Sequence, residues 1–345
     1  MIRVNKIIDE LYKKNPDLYQ SFFPKIKYNF SQHKIKHFKK FKIIIVIGMG
    51  GSILGAKAIY YFLKKKINKK FIFIDNLNQE DLKKAKKDNN LHKALFLIIS
   101  KSGNTTETIV NLSFFSKFVK RNNTIIISEK SHNTLSKFAK RKNFFLVGHN
   151  KNIGGRYSIF SDVGMLSASL MGLKPEKFKK NIPNLIKNKK YLKNISNEIS
   201  KKNFKKIKVL VLFNYVPELN NFMFWIQQLF AESLGKKNSG FIPVVSNAPK
   251  DHHSLLQLYL DGPKDKSFYV FSSEVKKKYK KNMNIFDDKV KFLNKRSYEN
   301  IKLSQKNAFI NTLKEKKIPY REFLIKKFNE ETLGNLFFLF ILETI

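Results

Sequence analysis

The sequence contains no cysteine, which excludes a disulfide framework, a thiolate nucleophile and a zinc–thiolate centre. Arginine is scarce as well. Of 68 basic residues only six are arginine (Arg3, Arg121, Arg141, Arg156, Arg296 and Arg321), and 26 acidic residues leave a formal charge of +42. A reader of nucleic acid favours arginine for its bidentate fork. Here lysines run along the whole chain among Asn, Ile and Phe, a bias of composition rather than a binding patch. No specific nucleic-acid partner is therefore expected, only salt-sensitive adhesion to polyanions. Long hydrophobic runs are missing too: no window reaches the roughly 18 to 20 apolar residues that span a bilayer. The start, MIRVNKIIDELYKKNPDLYQ, alternates charged with apolar residues and lacks a signal-peptide core. The chain is expected to be soluble and cytoplasmic, without membrane contact.

What is present is enough for two domains, since the chain has 345 residues and is 42% hydrophobic. Residues 1–40 read as an N-terminal helical arm. Residues 41–173 read as a first α/β domain. Its short buried strands fall at Ile43–Ile47, Phe71–Ile74, Lys93–Ile99, Thr124–Ile127 and Phe144–Val147, separated by helical patterns. Such alternation implies a parallel sheet covered on both faces, with ligands at the carboxyl ends of the strands. Residues 174–207, rich in Lys and Asn with Pro175 and Pro183, read as a solvated helical connection. A second α/β unit, 208–345, opens with a strand at Val209–Phe213, a long helix from about Pro217 to Gly235, and a further strand at Phe268–Phe271. Tyr279 to Phe328 alternates basic helical and loop-like segments without an evident site.

Chemistry concentrates in five clusters. Ser100-Lys101-Ser102-Gly103-Asn104-Thr105-Thr106-Glu107 lies between a strand and a helical pattern. Asn104 is placed to cap that helix and Glu107 to complete a capping box, leaving the hydroxyls of Ser100, Ser102, Thr105 and Thr106 free to face an anion beside the first helical N–H groups. Gly48-Met49-Gly50-Gly51-Ser52 imitates a dinucleotide fingerprint, but Ile53 stands where the third glycine belongs, and no Gly-Lys-Ser/Thr closes a P-loop. In a doubly wound sheet this turn can neighbour the one at Ser100, so that both close on one anion.

Gly154-Gly155-Arg156-Tyr157-Ser158 spends a rare arginine, which suggests a need for a permanent, delocalised cation. Gln228 and Glu232 share a helix face beside Leu229 and Phe230, where a carboxylate near apolar side chains can accept and return a proton. The plainer reading of Glu232 is a surface charge paired with Lys236. Asp251-His252-His253-Ser254 invites a metal, yet adjacent histidines on a helix diverge and no further ligand sits at the right spacing. A single histidine acting as acid and base is better motivated.

In this order IGMGGSILG, SKSGNTTET, GGRYS, QQLFAESLGK and DHHSLLQ resemble the phosphoglucose isomerase family, over a stretch from about Ile43 to the last residue. The resemblance implies two doubly wound, SIS-type sugar-isomerase domains with parallel sheets flanked by helices. It implies interconversion of glucose 6-phosphate and fructose 6-phosphate through a cis-enediolate. Gly51, Ser52, Ser100, Lys101, Ser102, Thr105, Gly155 and Gln228 would bind the substrate. Glu232 would be the base, Arg156 would stabilise the enediolate, and His253, supplied by the partner of a homodimer, would assist ring opening. No metal, nucleotide or other cofactor is implied. The alternatives are a phosphomannose-type isomerase or a noncatalytic sugar-phosphate-binding protein. In the family a glutamine and a ring-opening lysine follow beyond the region of Ile345, so the expectation is a second domain incomplete at its C-terminal end and impaired ring opening.

Overall fold

A computed structural model of the chain describes residues 4–87, 89–201, 206–274, 288–294 and 296–345. The first residues of the expected arm, part of the 174–207 connection and part of the basic Tyr279–Phe328 stretch lie outside the described residues.

Two parallel sheets dominate. The first comprises β1 (Ile43–Gly48), β2 (Lys70–Ile74), β3 (Ala94–Ile99), β4 (Thr124–Ser128) and β5 (Phe145–Gly148), in the order β2-β1-β3-β4-β5. The second comprises β6 (Val209–Asn214), β7 (Ile242–Asn247), β8 (Lys266–Ser273) and β9 (Tyr320–Ile325), in the order β7-β6-β8-β9. Each order reverses once, between β1 and β3 and between β6 and β8. At such a switch the two neighbouring turns diverge to opposite faces and leave a crevice at the carboxyl ends. In the first sheet Gly48 pairs with Ile99, so the turns beginning at Met49 and Ser100 stand side by side.

The β-branched strands are buried on both faces, and period-two alternation divides their side chains between cores. Ile45 and Ile47 face one cluster with Leu112 and Leu135. Ile44 and Val46 face a larger one that also takes Leu210 and Leu212 of β6, Tyr269 and Phe271 of β8, and Phe323 of β9. One core therefore serves both sheets. The helices Leu54–Phe62 and Asn220–Leu234 run through it, and the helix Glu330–Leu342 closes it, with the Phe337 ring edge-on to Trp225 at 4.7 Å. Each fully buried ring of this kind contributes about 2 kcal/mol of transfer free energy. The N-terminal helices Val4–Lys14 and Pro16–Ser21 join the same core through Leu11, Leu18 and Phe22.

The stretch after residue 174 is less solvated than its composition suggests. Phe178, Lys179 and Ile182 are fully buried. Lys179 Nζ donates to the Phe160 carbonyl at 2.7 Å and lies 4.8 Å from the Tyr28 ring centre. Burial pushes its pKa down to about 7, against the opposing pull of Asp162 and Glu176. An unfolded chain keeps lysine near pKa 10.4, so above about pH 7 the unfolded state binds more protons and this group's contribution to stability rises with pH. Lys179→Met is expected to remove that slope. Denaturant unfolding of both proteins at several pH values checks it, and equal slopes would assign the titration to other groups.

Candidate active site

The Ser100 octet forms the turn between β3 and the helix Thr106–Phe114. Its capping differs from the sequence expectation. Thr105 occupies the cap position and no side chain caps the helix. Asn104 reaches away, its Oδ1 accepting from the Thr134 N–H at 2.9 Å, because the following helix begins directly opposite. Nor are all the hydroxyls free. Ser100, nearly fully buried, pairs with Thr105 across 2.8 Å and accepts from the Gly103 N–H at 3.1 Å. Ser102 is exposed and accepts from the Asn104 N–H at 3.2 Å. Lys101 Nζ donates to the Lys151 carbonyl at 2.7 Å and lies 3.8 Å from Glu129. The helix start is therefore left without a side-chain cap, so its first N–H groups stay available to an outside acceptor.

Beside it, Gly50–Ser52 forms a single 3-10 turn leading to the helix Leu54–Phe62, which no side chain caps either. Gly50 has φ +52°, and a Cβ there would stand 2.6 Å from Gln228 Nε2. Gly51 is held closer still: a Cβ would fall 2.3 Å from the Gly155 carbonyl carbon and 2.5 Å from the Arg156 nitrogen. The glycine turn thus seats the Gly155–Phe160 turn against itself. Gly51→Ala is expected to cost about 1–3 kcal/mol through overpacking against backbone, and to displace Arg156. Thermal unfolding together with kcat/KM measures both.

Arg156 points across to the helix Asn220–Leu234. Its Nε donates to Ser233 Oγ at 2.7 Å and a terminal nitrogen to Glu232 Oε1 at 2.8 Å, while the guanidinium packs 4.7 Å from the Tyr157 ring centre. Gln228 Nε2 donates to the other carboxylate oxygen at 3.2 Å. Glu232 is therefore paired with Arg156 rather than with Lys236. Its surroundings also differ from the apolar ones expected, since its side chain is 51% exposed, whereas that of Arg156 is only 16% exposed. Leu229 and Phe230 turn instead into the core.

Two supporting residues escaped the sequence reading although both lie inside the quoted motifs. Ser233 binds Arg156 and stands 2.8 Å from the Tyr157 hydroxyl, which also donates to Thr344 at 3.4 Å. Only the next-residue spacing after Glu232 and Arg156 hinted at them. The structure gathers Gly51, Ser52, Gly155, Arg156, Gln228 and Glu232, with the Ser100 turn alongside. His253 is not gathered: it is exposed on the short helix Lys250–Ser254, and no hydrogen bond or ion pair joins it to Glu232 among the described residues. No group of three or more His, Asp or Glu that could hold a metal ion occurs among the described residues, and no helix there is long and apolar enough to cross a membrane.

Parallel sheets flanked by helices, in this arrangement, are the α/β fold of the SIS-type sugar isomerases. The sequence profile of phosphoglucose isomerase matches residues 17–248, and the chain belongs to that family. A glucose-6-phosphate isomerase of Methanocaldococcus jannaschii is 32% identical over 339 residues, covering 93% of this chain and 82% of its own. A probable glucose-6-phosphate isomerase of Methanococcus maripaludis is 30% identical over 324 residues, with 89% and 73% covered. In fold, a crystal structure of a glucose-6-phosphate isomerase from Chlamydia trachomatis superposes with a TM-score of 0.73 at 16% identity, covering 97% of this chain and 67% of that one. Family membership makes the protein an aldose–ketose isomerase.

Proposed function

We propose that this isomerase interconverts glucose 6-phosphate and fructose 6-phosphate, with Glu232 as the proton carrier. The observation that supports it most is the hydrogen-bonded trio Arg156–Glu232–Gln228, held beside the two uncapped helix starts. The 6-phosphate sits on the Ser100–Thr105 turn, aided by Ser52, Lys101 and Ser102, at the positive ends of the helices. Gly51 and Gly155 bring backbone close to the sugar. Glu232 takes the proton from C2 of the open-chain aldose, so that a C1–C2 double bond forms and the C1 carbonyl becomes an oxyanion. The hydroxyl proton passes from O2 to O1, and as the C2 carbonyl forms the same carboxyl returns its proton to C1. Arg156, a fixed cation beside the developing enediolate oxygens, lowers that barrier. Gln228 orients the carboxylate and a sugar hydroxyl.

His253 serves ring opening as a proton donor and acceptor at the ring oxygen. Its exposure, away from Glu232 of its own chain, supports delivery across a homodimer interface. A cytoplasmic setting fits this reading, and it calls for no cofactor. The test is turnover of glucose 6-phosphate by the 345-residue chain in deuterium oxide. Fructose 6-phosphate carrying deuterium at C1 is expected, because the half-exposed Glu232 carboxyl exchanges its proton with solvent before returning one to C1. Binding without turnover would leave a sugar-phosphate sensor, and preference for mannose 6-phosphate would reassign the substrate. Sedimentation tests the dimer.

A further inference from the structure

We propose that His252 and Tyr215 form a mount that aims His253, making both positioning residues for ring opening. The inference rests on the role given above to His253. Helix geometry sends neighbouring side chains about 100° apart, so a half-buried His252 turned in against Phe213 leaves His253 facing outward. The helix that carries them, Lys250–Ser254, has five residues, too few to hold an orientation by itself. Two anchors hold it instead.

Asp251 binds the turn to the strand behind it, accepting from the Asn247 N–H at 2.6 Å and from the Ser246 and Ser254 hydroxyls at 3.0 Å each. Burial resists ionisation of its carboxyl, but these bonds prevail and hold the pKa below the usual carboxylate range. His252 binds the turn sideways. Its ring stacks on Phe213 at 5.4 Å and 22°, lies 5.8 Å from Phe309, and its Nε2 stands 2.7 Å from the Tyr215 hydroxyl. Burial, reinforced by the neighbouring His253 and opposed by Asp251, lowers the His252 pKa. A leucine or phenylalanine would fill the same space. Only a polar ring in that slot fixes the rotation of the turn through a directional bond, and His253 rotates with it.

The experiment compares glucose 6-phosphate with its 4,5-dideoxy analogue, an aldose 6-phosphate that cannot close a five- or six-membered ring. The ratio of their kcat/KM values isolates ring opening from proton transfer between C2 and C1. Tyr215→Phe keeps the buried ring and removes only the hydroxyl. It is expected to lower the ratio about tenfold, the scale of a misaimed catalytic group, with the midpoint of thermal unfolding within a few degrees of wild type. His252→Leu should lower it similarly. His253→Ala is the reference and should lower it about a hundredfold. If His253→Ala lowers the ratio while Tyr215→Phe and His252→Leu leave it at the wild-type value, the mount is refuted and the His253 reading stands. If His253→Ala leaves the ratio unchanged, ring opening belongs elsewhere and the inference falls with it.

Discussion

Glu232→Gln is expected to lower kcat by about three to four orders of magnitude, near the upper end of what one acid–base group supplies, while leaving sugar-phosphate affinity within a few-fold of wild type. The substitution is nearly isosteric. An amide oxygen at this position still accepts from Arg156, so the 2.8 Å contact that orders the turn survives. What disappears is the capacity to carry a proton from C2 to C1. In the proposed site the phosphate rests on the turns after β1 and β3, which Glu232 does not touch among its described hydrogen bonds. Competition by an open-chain sugar-alcohol 6-phosphate, which binds without reacting, measures affinity independently of turnover. Loss of that binding would make Glu232 a structural residue, held by Arg156 to pin the helix in place.

Arg156→Lys should cost about a hundred- to a thousandfold in kcat/KM, mostly in kcat, the range found when one donor to a developing oxyanion is removed. Charge is conserved, but the geometry is not. The guanidinium meets Ser233 through Nε and Glu232 through a terminal nitrogen, with its flat face on Tyr157. A single ammonium cannot hold both partners at those positions, nor stack. Because both neighbours lie in the Asn220–Leu234 helix or its end, the lysine variant should fold normally. A kcat equal to wild type would show that any cation suffices and that Arg156 acts only as bulk charge.

Much of the fold was legible because its central strands are written without ambiguity. Ile43–Ile47 and Leu95–Ile99 are uninterrupted apolar runs, as strands buried on both faces must be, and each leads directly into a turn of small residues. The two strands that the sequence reading missed, β7 and β9, are both at sheet edges. β7 carries Pro243, tolerated because one side of the strand needs no partner; β9 carries Arg321 and Glu322. Polar and proline-bearing edges discourage aggregation and, for the same reason, erase the strand signature.

In the site, residue types were easier to read than partners. Glycine turns and a spare arginine announce a need, but Glu232's choice of Arg156 over Lys236, and Asn104's reach to Thr134, depend on contacts between elements far apart in sequence. A local rule, the capping box, lost there to a tertiary hydrogen bond. For His253, the sequence motif and its resemblance supply a role, whereas the single chain supplies only an exposed imidazole.

The Arg156–Glu232 contact joins the turn after β5 to the helix after β6, and so ties one sheet to the other. The carboxylate and its cationic neighbour exist as a unit only while the halves are docked. Either half, folded alone, would own an anion cradle or a proton acceptor and perform no reaction. Turnover is in this sense a gauge of docking: a fluctuation too small to open the shared core, but large enough to part Arg156 from Glu232, would silence the chemistry.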